Sequence, residues 1–533
     1  MRKSQMLKVT GDEGLASSGV ATRATPFRTG LVVWCAALLL GWLVLRGAAA
    51  VNADIDIDEF HFLHSAWMVG KGYLPYRDFW TNHSPLFIYL LKPLVALYNE
   101  NLSIFLAARA LNLVVFAGLL GLVAAIAARQ WSTDAGLFAA LLMSTNLVTY
   151  MATVRLRHDP LTVTFELLAL VLLARGIGFG RSRDVVAAGA LLGIALALSP
   201  KGLFGLSGLV IGCLIHHLLS SPSTGLRRAV TRSGRDLALL MAGCLGTFGL
   251  VVGTLVPREV WPLMIKSVFL ESLLSPERFS PLTVYLAREV LTEPVVWLVM
   301  AGAFGVAARK WWVQPMRRDP TDTLLLVAGL WFGVTYLFLM SSPYRQSALP
   351  FTAIGSVFGG RLLATGAARL SGVPSKERAA VWATGLAVLV GWMAIGSALS
   401  ILEEHTPFRR MNAHQMEMIQ YVLSLTGPED AVFDDNAAYV FRPQASYYGS
   451  LMSTVRLRIQ RGELEFDLPE RCQGRSCKVV IMGSRLARLP QKVQMWIRDN
   501  YTPSLFHPQV LLHNSLVSGA GRRGASPMAA VGG

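Results

Sequence analysis

Charged side chains are scarce in this sequence. They make up 15% of the 533 residues, whereas a typical soluble domain has about 25%. Hydrophobic residues make up 53%, and the mean hydropathy is +0.46. The shortage of charge and the repeated apolar runs exclude an ordinary soluble globular protein. They indicate a chain that crosses a membrane several times.

Acidic residues are scarcer than basic ones, with 33 Asp and Glu against 49 Lys and Arg, so the formal net charge is +16. Basic proteins often bind nucleic acid. Here, however, the Lys and Arg residues lie in short loops between apolar runs, which is the pattern that sets membrane topology. We therefore expect membrane lipids as partners, and no nucleic acid.

Cysteine is also rare, with five residues in the chain. Cys35, Cys213 and Cys244 lie in apolar runs and are expected to be small core residues. Cys472 and Cys477 bracket a polar loop and have no matching His or Cys at zinc-site spacing. They can form a disulfide if this region lies outside the cytoplasm.

The apolar runs predict about eleven membrane-spanning helices. They fall near residues 31–50, 103–128, 134–152, 160–177, 185–200, 202–220, 237–257, 289–308, 322–341, 346–365 and 380–400. One set of connecting loops is basic and almost free of acids, so it belongs on the cytoplasmic side. With an odd number of spans, the N-terminus is cytoplasmic and residues 402–533 are extracytoplasmic.

The sequence thus predicts a polytopic α-helical protein of the cell membrane with a small C-terminal α/β domain. Residues 1–29 are expected to be a cytoplasmic tail, because they show no signal-peptide cleavage pattern. Residues 30–401 would form the transmembrane catalytic domain, residues 402–516 the extracytoplasmic domain and residues 517–533 a disordered tail. In the outer domain we expect helices near 411–426 and 490–500 and strands near 431–433 and 478–482.

The first long polar interruption, residues 54–93, is the predicted functional loop. Asp56 and Glu59 have the spacing of a capping box, which explains both acids structurally but does not require Asp58. Apolar positions from Ile57 onward follow helical spacing, so we expect an amphipathic helix lying on the membrane. From the residues alone, capping and a catalytic role for Asp58 and Glu59 are about equally supported.

Other polar residues lie in turns of the predicted outer side. His83 precedes a helix that begins Ser84-Pro85, and it suits a cap neighbour, a metal ligand or a phosphate contact. Asp159 is a natural N-cap before Pro160, and the nearby Arg155 and Arg157 make an anion site plausible.

Two further turns of that side each carry one cation, Lys201 in one and Arg345, beside Tyr344, in the other. Lys201 would either snorkel to the interface or bind a lipid phosphate. Together with the acids and histidines, these cations suit a site for an anionic, lipid-borne substrate.

These motifs resemble those of the GT-C superfamily of integral-membrane glycosyltransferases. The resemblance is to its protein O-mannosyltransferase and aminoarabinose lipid A transferase branch, and it covers roughly residues 30–400. Asp58-Glu-Phe-His-Phe is similar to the Asp-Glu-Val-His-Phe of protein mannosyltransferases. Gly72-Tyr-Leu-Pro-Tyr-Arg-Asp-Phe, His83-Ser-Pro-Leu, Asp159-Pro, Ser-Pro-Lys201-Gly and Pro-Tyr344-Arg345 also match motifs at the expected spans.

The resemblance implies roles for individual residues. Asp58 matches the catalytic aspartate, Glu59 the second acid of the pair, and Lys201 and Arg345 the contacts to the carrier phosphate. Tyr344, Arg155 and Arg157 are expected to assist in donor binding. His83 stands where the aminoarabinose branch has a metal-site glutamate, and Asp159 matches a further acid of that site, so a divalent metal ion is a possible cofactor.

The expected activity is transfer of a sugar from a polyprenyl-phosphate donor to a lipid, glycan or protein acceptor at the outer face. Asp58 would act as general base, and a single displacement would invert the anomeric centre. The alternatives are a polysaccharide polymerase or ligase that uses a lipid-pyrophosphate donor, and a transporter that flips lipid-linked sugars. The sequence identifies neither the sugar nor the acceptor.

Overall fold

The computed structural model describes residues 26–219, 225–271, 287–314, 319–340, 344–371, 376–434, 441–449, 451–474 and 476–520. Most of the two predicted tails and residues 272–286 lie outside these ranges. The predicted tail that starts at residue 517 overlaps the last described helix, Asn514–Ala520.

The membrane part of the described chain is a bundle of helices joined by short connections. Its helices are α1 (Pro26–Asn52), α2 (Ile57–Gly70), α3 (Pro85–Tyr98), α4 (Ile104–Gln130), α5 (Thr133–Thr145), α6 (Leu147–Val154), α7 (Asp159–Phe179), α8 (Ser182–Leu198), α9 (Gly202–Leu219), α10 (Leu226–Leu255), α11 (Trp261–Ile265), α12 (Ala287–Thr292), α13 (Pro294–Val313), α14 (Pro320–Val334), α15 (Leu349–Ser371) and α16 (Lys376–His405).

Among the described residues, eight helices are long and apolar enough to cross a membrane, or nine if the bent pair α5–α6 counts as one span. The other two predicted spans, α8 and α13, are helices but are not among these eight. The chain is therefore a multi-pass membrane protein, and the predicted orientation of its termini stays a prediction.

The predicted span at 134–152 is not one continuous helix, because the chain bends by 70° between α5 and α6. The side chain of Asn146 caps α6 by accepting a hydrogen bond from the Thr149 N–H (3.3 Å). Glu293 accepts another from the Leu147 N–H (2.9 Å). Arg46, fully buried in α1, donates to the Ser144 carbonyl at the end of α5 (2.7 Å). These contacts satisfy the backbone groups that the break leaves open.

The first loop begins as predicted. The carboxylate of Asp56 and that of Glu59 form a capping box at the start of α2. The structure buries every residue from Glu59 to Val69, so α2 is more enclosed than an interfacial amphipathic helix would be. Ser84 and Pro85 begin α3 as expected.

A four-stranded sheet forms the centre of the C-terminal domain. Its strands are β1 (Ala431–Asp434), β2 (Cys477–Ile481), β3 (Tyr501–Pro503) and β4 (Val510–His513), in the order β1-β2-β4-β3. Strands β1 and β2 are parallel, with Val432 opposite Val479, and the other two pairs are antiparallel. The predicted strands near 431 and 478 are confirmed.

Helices surround this sheet, namely α17 (Ala413–Leu425), α18 (Ser453–Gln460), α19 (Leu468–Gly474), α20 (Gln491–Asn500) and α21 (Asn514–Ala520). The predicted helices near 411–426 and 490–500 correspond to α17 and α20. Cys472 and Cys477 form a disulfide, as the sequence allowed, and Cys35, Cys213 and Cys244 are free and buried.

The C-terminal domain shares a core with the first loop. Ile419 and Val422 of α17 and Val479 of β2 pack in one apolar cluster with Phe60 and Leu63 of α2. Polar contacts reinforce this interface, since the Tyr447 hydroxyl and carbonyl both bond to the backbone of the loop between α2 and α3. The domain therefore packs against α2 and against the loop that follows it.

Candidate active site

A row of alternating acids and arginines joins the first loop to the segment between α6 and α7. Arg155 pairs with Asp54 and with Asp56 (2.8 Å for Asp56). Arg157 pairs with Asp56 (3.1 Å) and with Asp58, whose Oδ2 lies 2.5 Å from Nη1 of Arg157. The structure thus places the predicted donor-binding Arg157 against the predicted catalytic aspartate, and Arg155 next to it in the same row.

These acids stabilise the charged form of Arg157. Burial disfavours the charged guanidinium, but the carboxylates of Asp56 and Asp58 outweigh burial and hold the pKa of Arg157 above its usual value. The Asp58 side chain is 19% exposed. Its second oxygen has no hydrogen-bond partner among the described residues, so that oxygen can reach a substrate.

Glu59 occupies a different environment, although it is the next residue. Its side chain is 1% exposed and pairs with Arg109 of α4 at 2.7 Å and 2.8 Å. It also accepts hydrogen bonds from the Leu156 and Asp56 N–H groups, both at 2.9 Å. Four donors engage its two oxygens, and this arrangement fixes the loop that carries Arg155 and Arg157 against the start of α2.

Asp159 and Lys201 form a second charged pair. Asp159 opens α7, and its Oδ1 accepts a hydrogen bond from the Lys201 Nζ at 2.7 Å. The Asp159 side chain is buried, whereas a third of the Lys201 side chain is exposed. Asp159 therefore directs a single ammonium group into the space beside it instead of capping α7 as predicted.

A cavity opens beside this pair between α7, α9, α14 and α15. Its lining includes Asp159, Thr162, Lys201, Gln346 and Ser347. A second, mainly apolar cavity adjoins it deeper in the bundle. Together they form a space that changes from charged at the end of the helices to apolar at membrane depth.

Tyr344 and Arg345 begin the short turn that reaches this cavity. Arg345 is the first residue of a 3-10 turn that ends at Ala348, directly before α15. The next two residues, Gln346 and Ser347, line the cavity. Tyr344 is largely exposed, while Arg345 is half-buried. Arg345 itself is not among the residues that line the cavity, although the two residues that follow it are.

Three imidazole rings lie close together near Asp58 and Asp159. The ring centres of His61 and His83 are 5.0 Å apart, and those of His83 and His158 are 5.6 Å apart. Burial lowers the pKa of His61 and of His158 to about 4, and it lowers the pKa of His83 well below its usual value. These rings are neutral at neutral pH.

Comparisons with known proteins agree with this architecture. Residues 82–243 match the family described as dolichyl-phosphate-mannose-protein mannosyltransferase. A search of curated protein sequences finds no match. The structure is similar to that of ArnT from Cupriavidus metallidurans bound to undecaprenyl phosphate, with 13% identity and a TM-score of 0.54 over 88% of both chains. That family and ArnT both belong to the GT-C glycosyltransferases. The chain has the GT-C fold.

The oligosaccharyltransferase of Archaeoglobus fulgidus is similar to the same extent. Its apo form has a TM-score of 0.54 at 11% identity, over 84% of this chain and 69% of that chain. Its complex with Zn and sulfate has a TM-score of 0.53 at 11% identity, over 89% of this chain and 73% of that chain. The GT-C resemblance read from the motifs is confirmed at the level of the fold.

The metal site suggested by the GT-C resemblance does not fit the residues present. Among the described residues, no group of three His, Cys, Asp or Glu side chains is arranged to hold a metal ion. The Oδ1 atom of Asp159 is engaged by Lys201, and His83 makes ring contacts with Phe62 and two other histidines. We assign no step of the chemistry to a metal.

Sequence reasoning missed two ionisable residues of the candidate site. Arg109, the partner of Glu59, lies in the apolar α4, and Glu166 lies in α7 beside both cavities. The signal that would have found them is their position, because an ionisable residue inside a predicted span is costly and usually functional.

Proposed function

We propose that this protein is a membrane glycosyltransferase that moves a sugar from a polyprenyl-phosphate donor to an acceptor at the outer face of the membrane. The observation that carries the proposal is the Asp159–Lys201 pair, which lines a cavity that becomes apolar at depth. Arg157, which pairs with Asp58, lies two residues before Asp159. A lipid phosphate has the same polarity as this cavity, with a charged head and an apolar tail. ArnT, which was solved with undecaprenyl phosphate, supports this donor class.

In the proposed reaction, the acceptor hydroxyl attacks the anomeric carbon of the donor sugar. The free oxygen of Asp58 takes the hydroxyl proton while the new carbon–oxygen bond forms. The bond between the anomeric carbon and the phosphate oxygen breaks, and polyprenyl phosphate leaves with the electron pair. Because attack and departure occur on opposite faces in one displacement, the anomeric configuration inverts.

The cations have separate tasks in this proposal. Lys201, held by Asp159, stabilises the charge that grows on the leaving phosphate, with help from Arg345 and Tyr344. Arg157 orients Asp58 through the 2.5 Å contact, and Arg155 holds Asp56 in the same row. Glu59 is then a positioning residue, because Arg109 and two backbone N–H groups occupy its oxygens.

The acceptor is a lipid, a glycan or a protein, and the outer location of the C-terminal domain belongs to the proposal. That domain covers the first loop, so it is positioned to limit which acceptors approach Asp58. Its disulfide agrees with an extracytoplasmic location, because disulfides persist in oxidising compartments.

The test uses the purified full-length protein in lipid with a panel of polyprenyl-phosphate and polyprenyl-pyrophosphate sugars. We expect release of polyprenyl phosphate from one phosphate-linked donor when acceptor membranes are added. Release of polyprenyl pyrophosphate, from the pyrophosphate-linked donors only, would instead indicate the polymerase or ligase alternative. Movement of an intact lipid-linked sugar from one leaflet of the vesicle membrane to the other, with no bond cleaved, would indicate a transporter.

A further inference from the structure

Glu166 is a buried acid that the proposed mechanism does not use. It lies in α7 seven residues after Asp159, which places it about 10 Å deeper along the helix. The residue is 5% exposed, and its Oε2 has no hydrogen-bond partner in the described part of the chain. An orphaned carboxyl oxygen inside the bundle is costly unless something else binds it.

The neighbouring helix leaves room for this carboxyl group. A Cβ atom added at Gly205 of α9 would lie 2.3 Å from Oε1 of Glu166. Glycine at this position lets the carboxyl group sit between α7 and α9. Glu166 lines both the cavity beside Lys201 and the apolar cavity that adjoins it.

A second unpartnered polar group faces the same space. Ser347 is 5% exposed, lines the cavity that contains Lys201, and its Oγ has no hydrogen-bond partner among the described residues. Glu166 and Ser347 come from α7 and from the turn before α15, so they approach the cavity from two different walls. Two orphaned polar atoms on one cavity point to a polar ligand atom between them.

The surroundings of Glu166 favour the un-ionised carboxyl group. It forms no ion pair in the described residues, and a lone carboxylate inside the helix bundle is costly. A protonated carboxyl group donates a hydrogen bond, as does a serine hydroxyl. Two neutral donors beside the Lys201 ammonium group suit an oxyanion and do not repel it.

We propose that Glu166 and Ser347 form the floor of the donor-phosphate site, where the protonated Glu166 carboxyl group donates a hydrogen bond to a phosphate oxygen that Lys201 also binds. This inference rests on the proposed function, because it assumes a phosphate-linked lipid in the cavity. It adds two neutral donors to the cations already assigned. The protein thereby binds the phosphate without gathering more positive charge inside the bundle.

Binding of polyprenyl phosphate to the purified full-length protein tests this inference separately from catalysis. We expect Glu166→Gln, which keeps a donor at the same place, to retain the wild-type dissociation constant within about threefold. Glu166→Leu and Ser347→Ala should each weaken binding about tenfold, as expected for the loss of a buried hydrogen bond. The matched control is Glu417→Leu, at an exposed position on α17, which should bind like the wild type.

Gly205→Ala provides a variant that retains both side chains. Its added methyl group should displace the Glu166 carboxyl and weaken binding, even if Glu166→Leu does not fold. Equal losses in Glu166→Gln and Glu166→Leu would overturn the inference, because they would mean that an ionised carboxylate acts there. Wild-type affinity in Glu166→Leu and Ser347→Ala would also overturn it. Failure of the wild-type protein to bind any polyprenyl phosphate would instead overturn the proposed function.

Discussion

The Nη1 atom of Arg157 lies 2.5 Å from Oδ2 of Asp58, across 99 residues of sequence. The contact leaves the second Asp58 oxygen without a partner among the described residues, while the same guanidinium also holds Asp56. A base that is held by one oxygen and free at the other can accept a proton without first reorganising. This relationship connects the first loop to the start of α7, where the proposed phosphate site begins.

Replacing Arg157 by alanine should slow transfer by about tenfold to a hundredfold, because Asp58 would lose the group that orients it. We expect the loss in kcat at saturating donor and acceptor, with little change in KM for the donor. The matched control is Arg155→Ala, since Arg155 pairs with Asp54 and Asp56 but not with Asp58. Equal losses of kcat in the two variants would contradict this role for Arg157.

Lys201→Ala should weaken donor binding and slow transfer, each by about tenfold or more, because the leaving phosphate loses its paired ammonium group. The measurements are the dissociation constant for polyprenyl phosphate and kcat/KM for the donor. Lys492→Ala removes an exposed lysine of α20 and should leave both unchanged. Unaltered donor affinity in Lys201→Ala would remove Lys201 from the phosphate site.

Arg109→Ala should destabilise the protein by about 3–5 kcal/mol, because it leaves the buried Glu59 carboxylate without its cation. Thermal unfolding of the purified protein in lipid measures the effect. Arg129→Ala is the control within the same helix, since Arg129 is exposed near the end of α4, and it should change stability by less than about 0.5 kcal/mol. Equal stability of the two variants would show that the Glu59–Arg109 pair does not anchor the loop.

The buried histidines predict that stability falls as the pH is lowered. His61 and His158 have pKa values near 4 in the folded protein, against about 6.5 in an unfolded chain. Between these values the unfolded chain binds more protons, so the free energy of unfolding decreases by up to about 1.4 kcal/mol per pH unit for each ring. The full stability of the folded protein with both rings neutral is present above pH 6.5, and it is lost as the pH falls toward 4.

Unfolding midpoints measured from pH 7 to pH 5 check this expectation. Replacement of His61 or His158 by glutamine, which cannot take up a proton, should make the dependence on pH shallower. A variant with the same slope as the wild type would show that the replaced ring is already charged or does not titrate in this range.

Local sequence patterns were sufficient to predict the structural elements that depend on interactions between neighbouring residues. The Asp56–Glu59 capping box, the Ser84-Pro85 helix start and the strands near 431 and 478 each follow from neighbouring residues. The motif positions also led to Asp58, Asp159 and Lys201, which the structure places at one end of the bundle.

Partners that are distant in sequence could not be predicted in this way. The Glu59–Arg109 pair spans 50 residues and the Asp159–Lys201 pair spans 42, and their choice depends on how the helices pack. The same is true of the bend after Thr145, because the backbone groups exposed there are satisfied by Arg46 of α1 and by Glu293, which directly precedes α13. Nothing in the sequence around those two residues indicated that they would bond to the backbone at the bend.

The most direct test of the account is a single-turnover assay of Asp58→Asn with the donor identified in the panel. The account predicts a loss of about a hundredfold to ten-thousandfold in the rate of transfer, the usual contribution of a general base. Donor binding and thermal stability should stay close to those of the wild type, and the wild-type product should have the inverted anomeric configuration. Near-wild-type transfer by Asp58→Asn, or a product of retained configuration, would contradict the account.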